Sequence, residues 1–309
     1  MQLEGIHHVT AITADARRNL DFYAGTLGLR LVKKSVNQDN TSVYHLFYAD
    51  ETGAPGSDIT FFEYPNLPIG RAGAGMIHRI VWRVGSAEAI DFWHDRLSKT
   101  GYDPAQTGES LYFSDPEGLA HELTVADAPD EPLSAHHPEI PANLALQGFD
   151  GVRAYADPGP SRTLLEGTLG FHPEPGGATW EARGEHRGSY YIYDVPPSER
   201  PRKGAGTVHH VAWATRPAEI DTWQETLAHA GTHPTPVIDR HYFRSVYFRE
   251  PSGVLFELAT IGPGFTVDEP LEHLGERLSL TPRYEHLREQ IEPTLTPLRN
   301  PRDAWARLN

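Results

Sequence analysis

The stretch Gly5-Ile6-His7-His8-Val9-Thr10 at the start of the chain is partly repeated much later as Val208-His209-His210-Val211. A third segment, Gly253-Val254-Leu255-Phe256-Glu257-Leu258, places one carboxylate within an otherwise apolar run. Two imidazoles and one carboxylate are the ligand set that leaves open positions on a non-haem Fe(II) ion. These three segments therefore predict a metal site that draws its ligands from both ends of the chain.

The composition limits the classes of protein to which the chain can belong. Its 309 residues are enough for two ordinary domains or one fused pair. A net charge of −15 argues against a nucleic-acid surface, and the lack of cysteine excludes disulfides and thiolate metal sites. No apolar run approaches the ~20 residues of a transmembrane helix, and the opening residues show no leader pattern. We expect a cytoplasmic protein with neither a membrane nor a nucleic-acid partner.

Four loose repeats of about 50 to 80 residues follow one another along the chain. Each begins with a short strand, passes through a helix and ends in β-rich sequence with turn signals. The opening strands of the four units are the segments 6–12, 76–82, 149–155 and 208–214. The second and fourth units match closely, because aligning Gly118 with Gly253 also aligns Glu122 with Glu257. The sequence thus predicts four copies of one β-α-β-β-β unit.

The pattern also predicts where the chain divides. Residues 126–143 are rich in proline, histidine and aspartate and are interpreted as a linker. The expected domains are residues 1–125 and 144–262, with two units in each. Residues 263–309 are expected to form a tail with a short helix over 282–291, serving packing rather than chemistry. For the four units the predicted helices cover residues 14–27, 87–100, 161–169 and 218–230.

This repeated unit resembles the vicinal-oxygen-chelate superfamily, which includes glyoxalase I, bleomycin-resistance proteins and extradiol dioxygenases. The resemblance covers residues 1–261 and implies an α+β fold. In that fold four βαβββ modules form two domains with curled mixed sheets. It further implies that modules pair to enclose a metal site, with ligands on the first and last strands of each module.

Different module pairings would assemble different ligand sets under this resemblance. The first and second modules would offer a glyoxalase-like quartet with one acid missing, namely His8, Thr60, His78 and Glu122. The third and fourth modules would offer a set one histidine short of the usual extradiol site, namely Gly151, Ile192, His210 and Glu257. The second and third modules contribute His78 and Glu122 without a partner ligand, so these two are either relics or a second site.

Pairing of the first and fourth modules gives a complete set of two histidines and one carboxylate, and we expect this pairing. This ligand pattern is similar to that of one subgroup, the hydroquinone ring-cleaving dioxygenases. The sequence also resembles that subgroup in the segments 5–10 and 239–257, the latter reading DRHYFRSVYFREPSGVLFE. The resemblance implies that the metal ligands are His8, His210 and Glu257. It also implies that the other residues of the site are His7, Thr10, His209, Arg240 and Tyr247.

The same resemblance implies a cofactor and partners. The expected cofactor is Fe²⁺, with Mn²⁺ or another divalent metal as the alternative. The expected partners are a small aromatic substrate and O₂, and a homo-oligomer is left open. In such a site Tyr247 and His209, and after them His7, are the candidates for moving protons. Arg240 would stabilise an anionic oxygen, and Thr10 would orient the substrate or simply suit a strand.

The leading functional hypothesis is an Fe(II)-dependent ring-cleaving dioxygenase of the extradiol type, acting on a hydroquinone- or catechol-type aromatic. One alternative is a glyoxalase-type metal-dependent isomerase or lyase, and Thr60 in place of an acid argues against it. The other alternative is a non-enzymatic binding protein of the bleomycin-resistance type. Such a protein would lack the metal ligands that this sequence retains.

Overall fold

Two curled eight-stranded sheets form the core of the computed structural model, which describes residues 1–307. The strands of the first half of the chain are β1 (Ile6–Thr13), β2 (Arg30–Asn37), β3 (Asn40–Ala49), β4 (Asp58–Glu63), β5 (Met76–Val84), β6 (Ala105–Thr107), β7 (Ser110–Ser114) and β8 (Ala120–Val125). Those of the second half are β9 (Phe149–Tyr155), β10 (His172–Pro173), β11 (Thr179–Arg183), β12 (Gly188–Asp194), β13 (Thr207–Thr215), β14 (Ile238–Asp239), β15 (Arg244–Arg249) and β16 (Leu255–Thr260).

Helices are few and short beside these strands. The α-helices are α1 (Ala16–Leu20), α2 (Ala87–Lys99), α3 (Ile220–His229) and α4 (Arg288–Ile291). Two π-helical turns cover Asp21–Thr26 and Thr163–Thr168. Short 3₁₀ helices cover Ala142–Leu144, Gly159–Ser161, Phe265–Val267, Leu271–His273, Glu285–Leu287, Glu292–Thr294 and Pro301–Arg307. Within residues 1–307 no helix has the length and apolar character needed to cross a membrane.

The order of the strands shows how the four modules combine. The first sheet has the order β14-β15-β16-β13-β1-β4-β3-β2, and the second has the order β10-β11-β12-β9-β5-β8-β7-β6. The first sheet therefore joins module one to module four through the antiparallel pair β1–β13, and the second joins module two to module three through β5–β9. The predicted α+β class with four βαβββ modules is confirmed. The expected division into 1–125 and 144–262 does not describe the sheets, because each sheet takes strands from both ranges.

The helices of modules two and four agree with the pattern that predicted them. The side chain of Ser86 accepts a hydrogen bond from the backbone N–H of Ala89 and caps α2. Helix α2 buries Ile90, Trp93 and Leu97, which share one face at a spacing of three and four residues. Helix α3 buries a face with the same spacing. Both helices begin and end within two residues of their predicted bounds, 87–100 and 218–230.

The helical segments of modules one and three differ from the prediction. Instead of one helix over 14–27, α1 gives way after Leu20 to the π-helical turn Asp21–Thr26. The wider turn accompanies the full burial of two adjacent aromatic side chains, Phe22 and Tyr23. Module three has the same kind of π-helical turn at Thr163–Thr168. The helical segments lie within two residues of the predicted bounds, but their turns are wider than those of the expected α-helix.

The tail packs on the first sheet, next to β2. Lys33 is fully buried, and its ammonium group donates hydrogen bonds to Asp268 at 2.6 Å, to Glu269 and to the carbonyl oxygen of Phe265 at 3.2 Å. The phenol of Tyr242 also donates to Asp268, at 3.0 Å. Of the helix predicted over 282–291, residues 285–291 are helical, as a 3₁₀ turn followed by α4. The tail therefore belongs to the packing of the first sheet.

Candidate metal centre

Three neighbouring strands of the first sheet bring the predicted ligands together. His8 on β1 lies opposite Ala212 on β13, and Ala212 lies opposite Glu257 on β16. His210 precedes Ala212 by two residues and so points to the same face of the sheet. The small side chain of Ala212 leaves the space above it to the two imidazoles and the carboxylate. The expected pairing of modules one and four thus places all three candidate ligands on one face.

The three donor atoms form a nearly equilateral triangle. His8 Nε2 lies 3.2 Å from His210 Nε2 and 3.2 Å from Glu257 Oε2, and His210 Nε2 lies 2.9 Å from the same oxygen. Bonds of ~2.1 Å at right angles around a metal would separate adjacent donor atoms by ~3.0 Å. All three residues are buried. The donor set therefore fits one face of an octahedral divalent cation.

The carboxylate of Glu257 has one oxygen occupied and one available. Ser245 donates a hydrogen bond to Oε1 at 2.5 Å, whereas Oε2 is buried and receives no hydrogen bond from the described residues. Burial alone would raise the pKa of Glu257, but the neighbouring imidazoles of His8 and His210 hold it well below its usual range. An ionised, unpartnered oxygen in the interior is costly, and a bound cation would remove that cost. This buried oxygen is the second observation that fits a metal.

His7 lies behind His8 and determines which of its ring nitrogens carries the proton. Nε2 of His7 is 3.1 Å from the carbonyl oxygen of Thr260, which can only accept, so this nitrogen is the donor. Burial lowers the pKa of His7 to about 3, so the ring is neutral and its Nδ1 accepts from His8 Nδ1 at 2.9 Å. The network therefore places a proton on Nδ1 of His8 and turns its Nε2 toward the donor triangle.

His209 holds the same relation to His210. Their Nδ1 atoms are 2.8 Å apart, and the ring of His209 is otherwise exposed. Strict strand alternation would turn both preceding histidines away from the metal. Instead, their rings fold back against the ligands, and for His7 a register shift between β1 and β13 accompanies this. Neither His7 nor His209 lines the cleft above the donor triangle.

That cleft is the cavity into which the two ligand imidazoles open. It lies between the first sheet and the β2–β3 turn, and its walls combine aromatic side chains with the polar residues of that turn. Three of the predicted site residues line it, namely Thr10, Arg240 and Tyr247. Its other side chains include His45, Phe47, Phe62, Tyr242 and Phe243. Of the five predicted site residues that are not ligands, three therefore line the cleft and two lie behind the ligands.

Arg240 and Tyr247 form a pair on one wall of the cleft. Tyr247 lies opposite Glu257 in the pairing of β15 with β16, which places its ring beside the donor triangle. Nε of Arg240 donates to the phenol oxygen of Tyr247 at 3.3 Å, and the guanidinium also contacts Asp39 at 3.1 and 3.2 Å. Burial raises the pKa of Tyr247, so its phenol keeps its proton at neutral pH. The wall presents one protonated phenol and one fixed positive charge.

The pairings that were left as alternatives do not assemble. Glu122 and His78 lie on the second sheet, away from His8 and Thr60 on the first. His78 contacts Asp194 at 2.8 Å, while Glu122 faces the guanidinium groups of Arg79 at 3.4 Å and Arg153 at 3.9 Å. Positive side chains therefore balance the carboxylate of Glu122. Gly151 and Ile192, on β9 and β12 of the second sheet, are likewise remote from the ligands they were matched with. Within residues 1–307, the three potential ligands with donor atoms all within 4.8 Å of one another are His8, His210 and Glu257.

Sequence reasoning missed His45, which lines the cleft from β3. Its Nε2 is 2.9 Å from the hydroxyl of Thr60, which is 2.8 Å from that of Thr10. The available signal was a histidine interrupting the apolar run 43–48. That signal alone does not point to a site, since the strand's neighbours in the sheet decide what the side chain faces.

Comparison with known proteins gives full-length matches. A family model described as Glyoxalase/Bleomycin resistance protein/Dioxygenase superfamily matches residues 5–258. The "Putative ring-cleaving dioxygenase MhqA" of Bacillus subtilis is 39% identical, over 96% of this chain and 100% of its own length. The "Chlorohydroquinone/hydroquinone 1,2-dioxygenase" of Sphingobium indicum is 29% identical, over 95% of this chain and 96% of its own. A crystal structure of a "putative dioxygenase" from B. subtilis has 38% identity and a TM-score of 0.87, covering 96% of this chain and 98% of that one.

Proposed function

The chain belongs to the Glyoxalase/Bleomycin resistance protein/Dioxygenase superfamily, and on that premise we propose that it is an Fe(II)-dependent dioxygenase of the extradiol type. Its substrate would be a hydroquinone- or catechol-type aromatic, whose ring it opens with O₂. The observation that carries the proposal is the buried triangle of donor atoms from His8, His210 and Glu257 beneath an aromatic cleft. Such a triangle leaves positions open for substrate and O₂. The names of the full-length relatives support the reaction class.

The protein's part in this chemistry begins with orientation. The contribution of a bound Fe(II) is Lewis acidity together with a route for electrons from the aromatic ring to O₂. His7 and His209 hold the two ligand imidazoles with Nε2 toward the cleft, and Ser245 holds the carboxylate of Glu257. We therefore assign His7 and His209 to positioning rather than to proton transfer, because their rings lie behind the ligands.

The cleft side chains act on the substrate and its oxygens. Phe47, Phe62 and Phe243 supply flat apolar surface that packs on an aromatic ring and excludes water. The positive charge of Arg240 favours the ionised form of a substrate phenol. The phenol of Tyr247, which keeps its proton, can give that proton to an oxygen that becomes negative as the ring opens.

The glyoxalase-type alternative is not proposed, because its fourth ligand is missing. Thr60 stands at that position with its hydroxyl bonded to Thr10 and His45. A binding protein without catalysis is not proposed either. Such a protein has no need of a buried carboxylate oxygen and two imidazole nitrogens that converge on one point.

The test is anaerobic loading of the chelator-treated protein with Fe(II), followed by oxygen-electrode measurements with a panel of hydroquinones and catechols. We expect one O₂ to be consumed for each aromatic ring lost, as followed by ultraviolet absorbance. The variant Glu257→Ala should consume none, whereas Glu122→Ala, its counterpart on the second sheet, should behave as the parent. Iron-loaded protein that consumes no O₂ with any member of the panel would refute the proposal.

A further inference from the structure

His45 lies at the end of a hydrogen-bonded row of side chains on the floor of the cleft. Its ring packs between Phe47 and Phe62, with ring centroids 3.9 and 4.4 Å away. Its Nε2 is committed to Thr60, and Thr60 in turn to Thr10. Two aromatic contacts and one hydrogen bond at Nε2 therefore restrain the orientation of the imidazole.

The strand register places His45 across the cleft from the metal ligands. Thr10 on β1 lies opposite His210 on β13 and opposite Thr60 on β4, so these three side chains form a row across adjacent strands. His45 reaches the end of this row from β3, which is three strand spacings, or ~14 Å, from β13 at the backbone. Imidazoles that enter one cleft from such positions can face the two ends of a single aromatic ring.

The second nitrogen of His45 is available to a ligand. Nδ1 makes no hydrogen bond within residues 1–307, and the side chain is partly exposed to the cleft. Burial, reinforced by the nearby imidazoles of His8 and His210, holds the pKa of His45 well below its usual range. The neutral ring offers either a donor or an acceptor at Nδ1. A hydroxyl group complements both tautomers, since it can donate and accept.

We propose that Nδ1 of His45 binds the second hydroxyl of a 1,4-dihydroxybenzene, the one that points away from the donor triangle. This contact makes the site selective for hydroquinone-type aromatics over simple phenols, which have no oxygen at that end of the ring. A catechol carries its oxygens on adjacent carbons, so the oxygen that would reach His45 is missing there as well. The inference rests on the proposed function for its substrate class, but it concerns binding and not turnover.

Equilibrium binding without O₂ tests this assignment. Iron-loaded protein under nitrogen is titrated with hydroquinone, catechol and phenol, with tryptophan fluorescence as the readout. We expect the parent to bind hydroquinone about tenfold more tightly than phenol, the worth of one hydrogen bond in a partly buried site. Catechol, which can also bind the metal through two adjacent oxygens, should show no dependence on His45. The variant His45→Phe should bring this ratio close to one while leaving the Kd for phenol within about twofold. An unchanged ratio, or no preference in the parent, would overturn the assignment.

Two further variants test which ring nitrogen of His45 is responsible for the selectivity. An asparagine amide stands near the place of Nδ1, whereas a glutamine amide extends to that of Nε2. His45→Asn should therefore retain most of the selectivity, and His45→Gln should lose it although it can still reach Thr60. The reverse result would overturn the assignment to Nδ1. Glu122→Ala, on the second sheet and outside the cleft, is the control and should leave the ratio unchanged.

The binding residue and the proposed reaction can be refuted independently of each other. If the parent consumes no O₂ but shows a preference for hydroquinone that depends on His45, the reaction is refuted and the binding residue stands. If ring opening proceeds while His45→Phe keeps the parent's selectivity, the binding residue alone is refuted. Equal iron content and equal circular dichroism spectra of all variants show that the comparison concerns the cleft and not folding.

Discussion

His7 accepts the Nδ1 proton of His8 and donates its own Nε2 proton to the carbonyl oxygen of Thr260. One residue thus fixes which nitrogen of its neighbour faces Glu257, and that nitrogen is Nε2. Hydrogen bonds of this kind, made by a ligand's second nitrogen, fix the orientation of the ring and tune metal affinity. At the scale of single residues, the candidate site depends as much on the side chains behind the ligands as on the ligands.

Replacing His7 by phenylalanine should therefore weaken metal binding without removing a ligand. The ring of His8 would lose the acceptor at Nδ1, and the affinity for Fe(II) or Mn(II) should fall about 10- to 100-fold. Competition with a chromogenic chelator under nitrogen measures the affinity. His7→Asn, whose amide oxygen can accept near the same place, should stay closer to the parent. Parent-like affinity in His7→Phe would show that His7 does not position the ligand.

The state of His121, which lies on the second sheet, should make the free energy of unfolding depend on pH. It is fully buried, accepts a hydrogen bond from Trp82 Nε1 at 3.0 Å and contacts the phenol of Tyr23 at 3.0 Å. Burial lowers its pKa from 6.5 to about 3. In the unfolded chain, His121 therefore binds a proton as the pH falls through about 6.5, whereas in the folded protein it stays neutral. The stabilising contribution is complete above pH 6.5 and is lost as the pH falls toward 3.

The variant His121→Gln keeps a donor and an acceptor but does not titrate. Between pH 7 and pH 4.5 its free energy of unfolding should fall about 2 kcal/mol less than that of the parent. Urea unfolding of the metal-free proteins at both pH values measures the difference. Equal losses in the two proteins would mean that His121 is not held neutral in the folded state.

At the scale of secondary structure, the pairing of β13 with β1 and β16 creates the candidate site. Ala212 lies between His8 and Glu257 in this register, and it is fully buried. A larger side chain at this position would occupy the space that the ligands share. The spacing of the donor atoms thus depends on a residue that is not itself a ligand.

Ala212→Val should separate the donor atoms and lower the affinity for Fe(II) by about tenfold or more. Overpacking should also cost about 1–3 kcal/mol of stability. Ala214→Val, two residues along the same strand and equally buried, should carry the cost in stability alone. Chelator competition and urea unfolding are measured for both variants. Equal metal affinities in the two would contradict this role for Ala212.

The tail is held on β2 by an ion cluster around Lys33, and the cluster reaches the cleft through Tyr242. Lys33→Met would leave the carboxylates of Asp268 and Glu269 without their buried partner. We expect a loss of about 3 kcal/mol in stability and faster proteolysis between residues 263 and 281. The triple variant that adds Asp268→Asn and Glu269→Gln should recover part of the loss. If Lys33→Met unfolds at the parent's urea concentration, the cluster does not hold the tail.

At the scale of the whole molecule, two sheets of the same strand order differ in their chemistry. The first joins the beginning of the chain to its fourth module and carries the donor triangle. The second keeps His78 and Glu122 at equivalent positions but balances them with Asp194, Arg79 and Arg153. A cation in the first sheet would bind strands that are far apart in sequence, so metal binding and folding should be coupled.

Metal should therefore raise the thermal stability of the protein. At a free Mn(II) concentration about 100 times the Kd, the stabilisation is about 2.7 kcal/mol, which corresponds to a rise of about 5 °C in Tm. Differential scanning calorimetry with and without the metal measures it. The rise should disappear in Glu257→Ala and persist in Glu122→Ala, its counterpart on the second sheet. A rise that survives Glu257→Ala would place the bound metal elsewhere.

Local sequence patterns predicted secondary structure correctly where an element buries one apolar face. The bounds of α2 and α3 followed from apolar spacing and capping, and the repeated His-His pairs picked out His8 and His210. The same reasoning predicted the bounds of the segment 14–27 but not its π turn, which accompanies the burial of Phe22 and Tyr23. It also could not find His45, whose meaning depends on Thr60 across the neighbouring strand.

The sequence by itself determined the repeated unit, the α+β class and the kinds of side chain available as ligands. The pairing of modules one and four could be expected from the ligand set that it completes, but only the tertiary structure decided the register of the strands, which nitrogen of His8 faces the other donor atoms and which side chains face the cleft. The physical reason is that backbone hydrogen bonds are alike for any two strands. The partner of a strand is therefore chosen by the packing of side chains from the whole chain, which no local stretch contains.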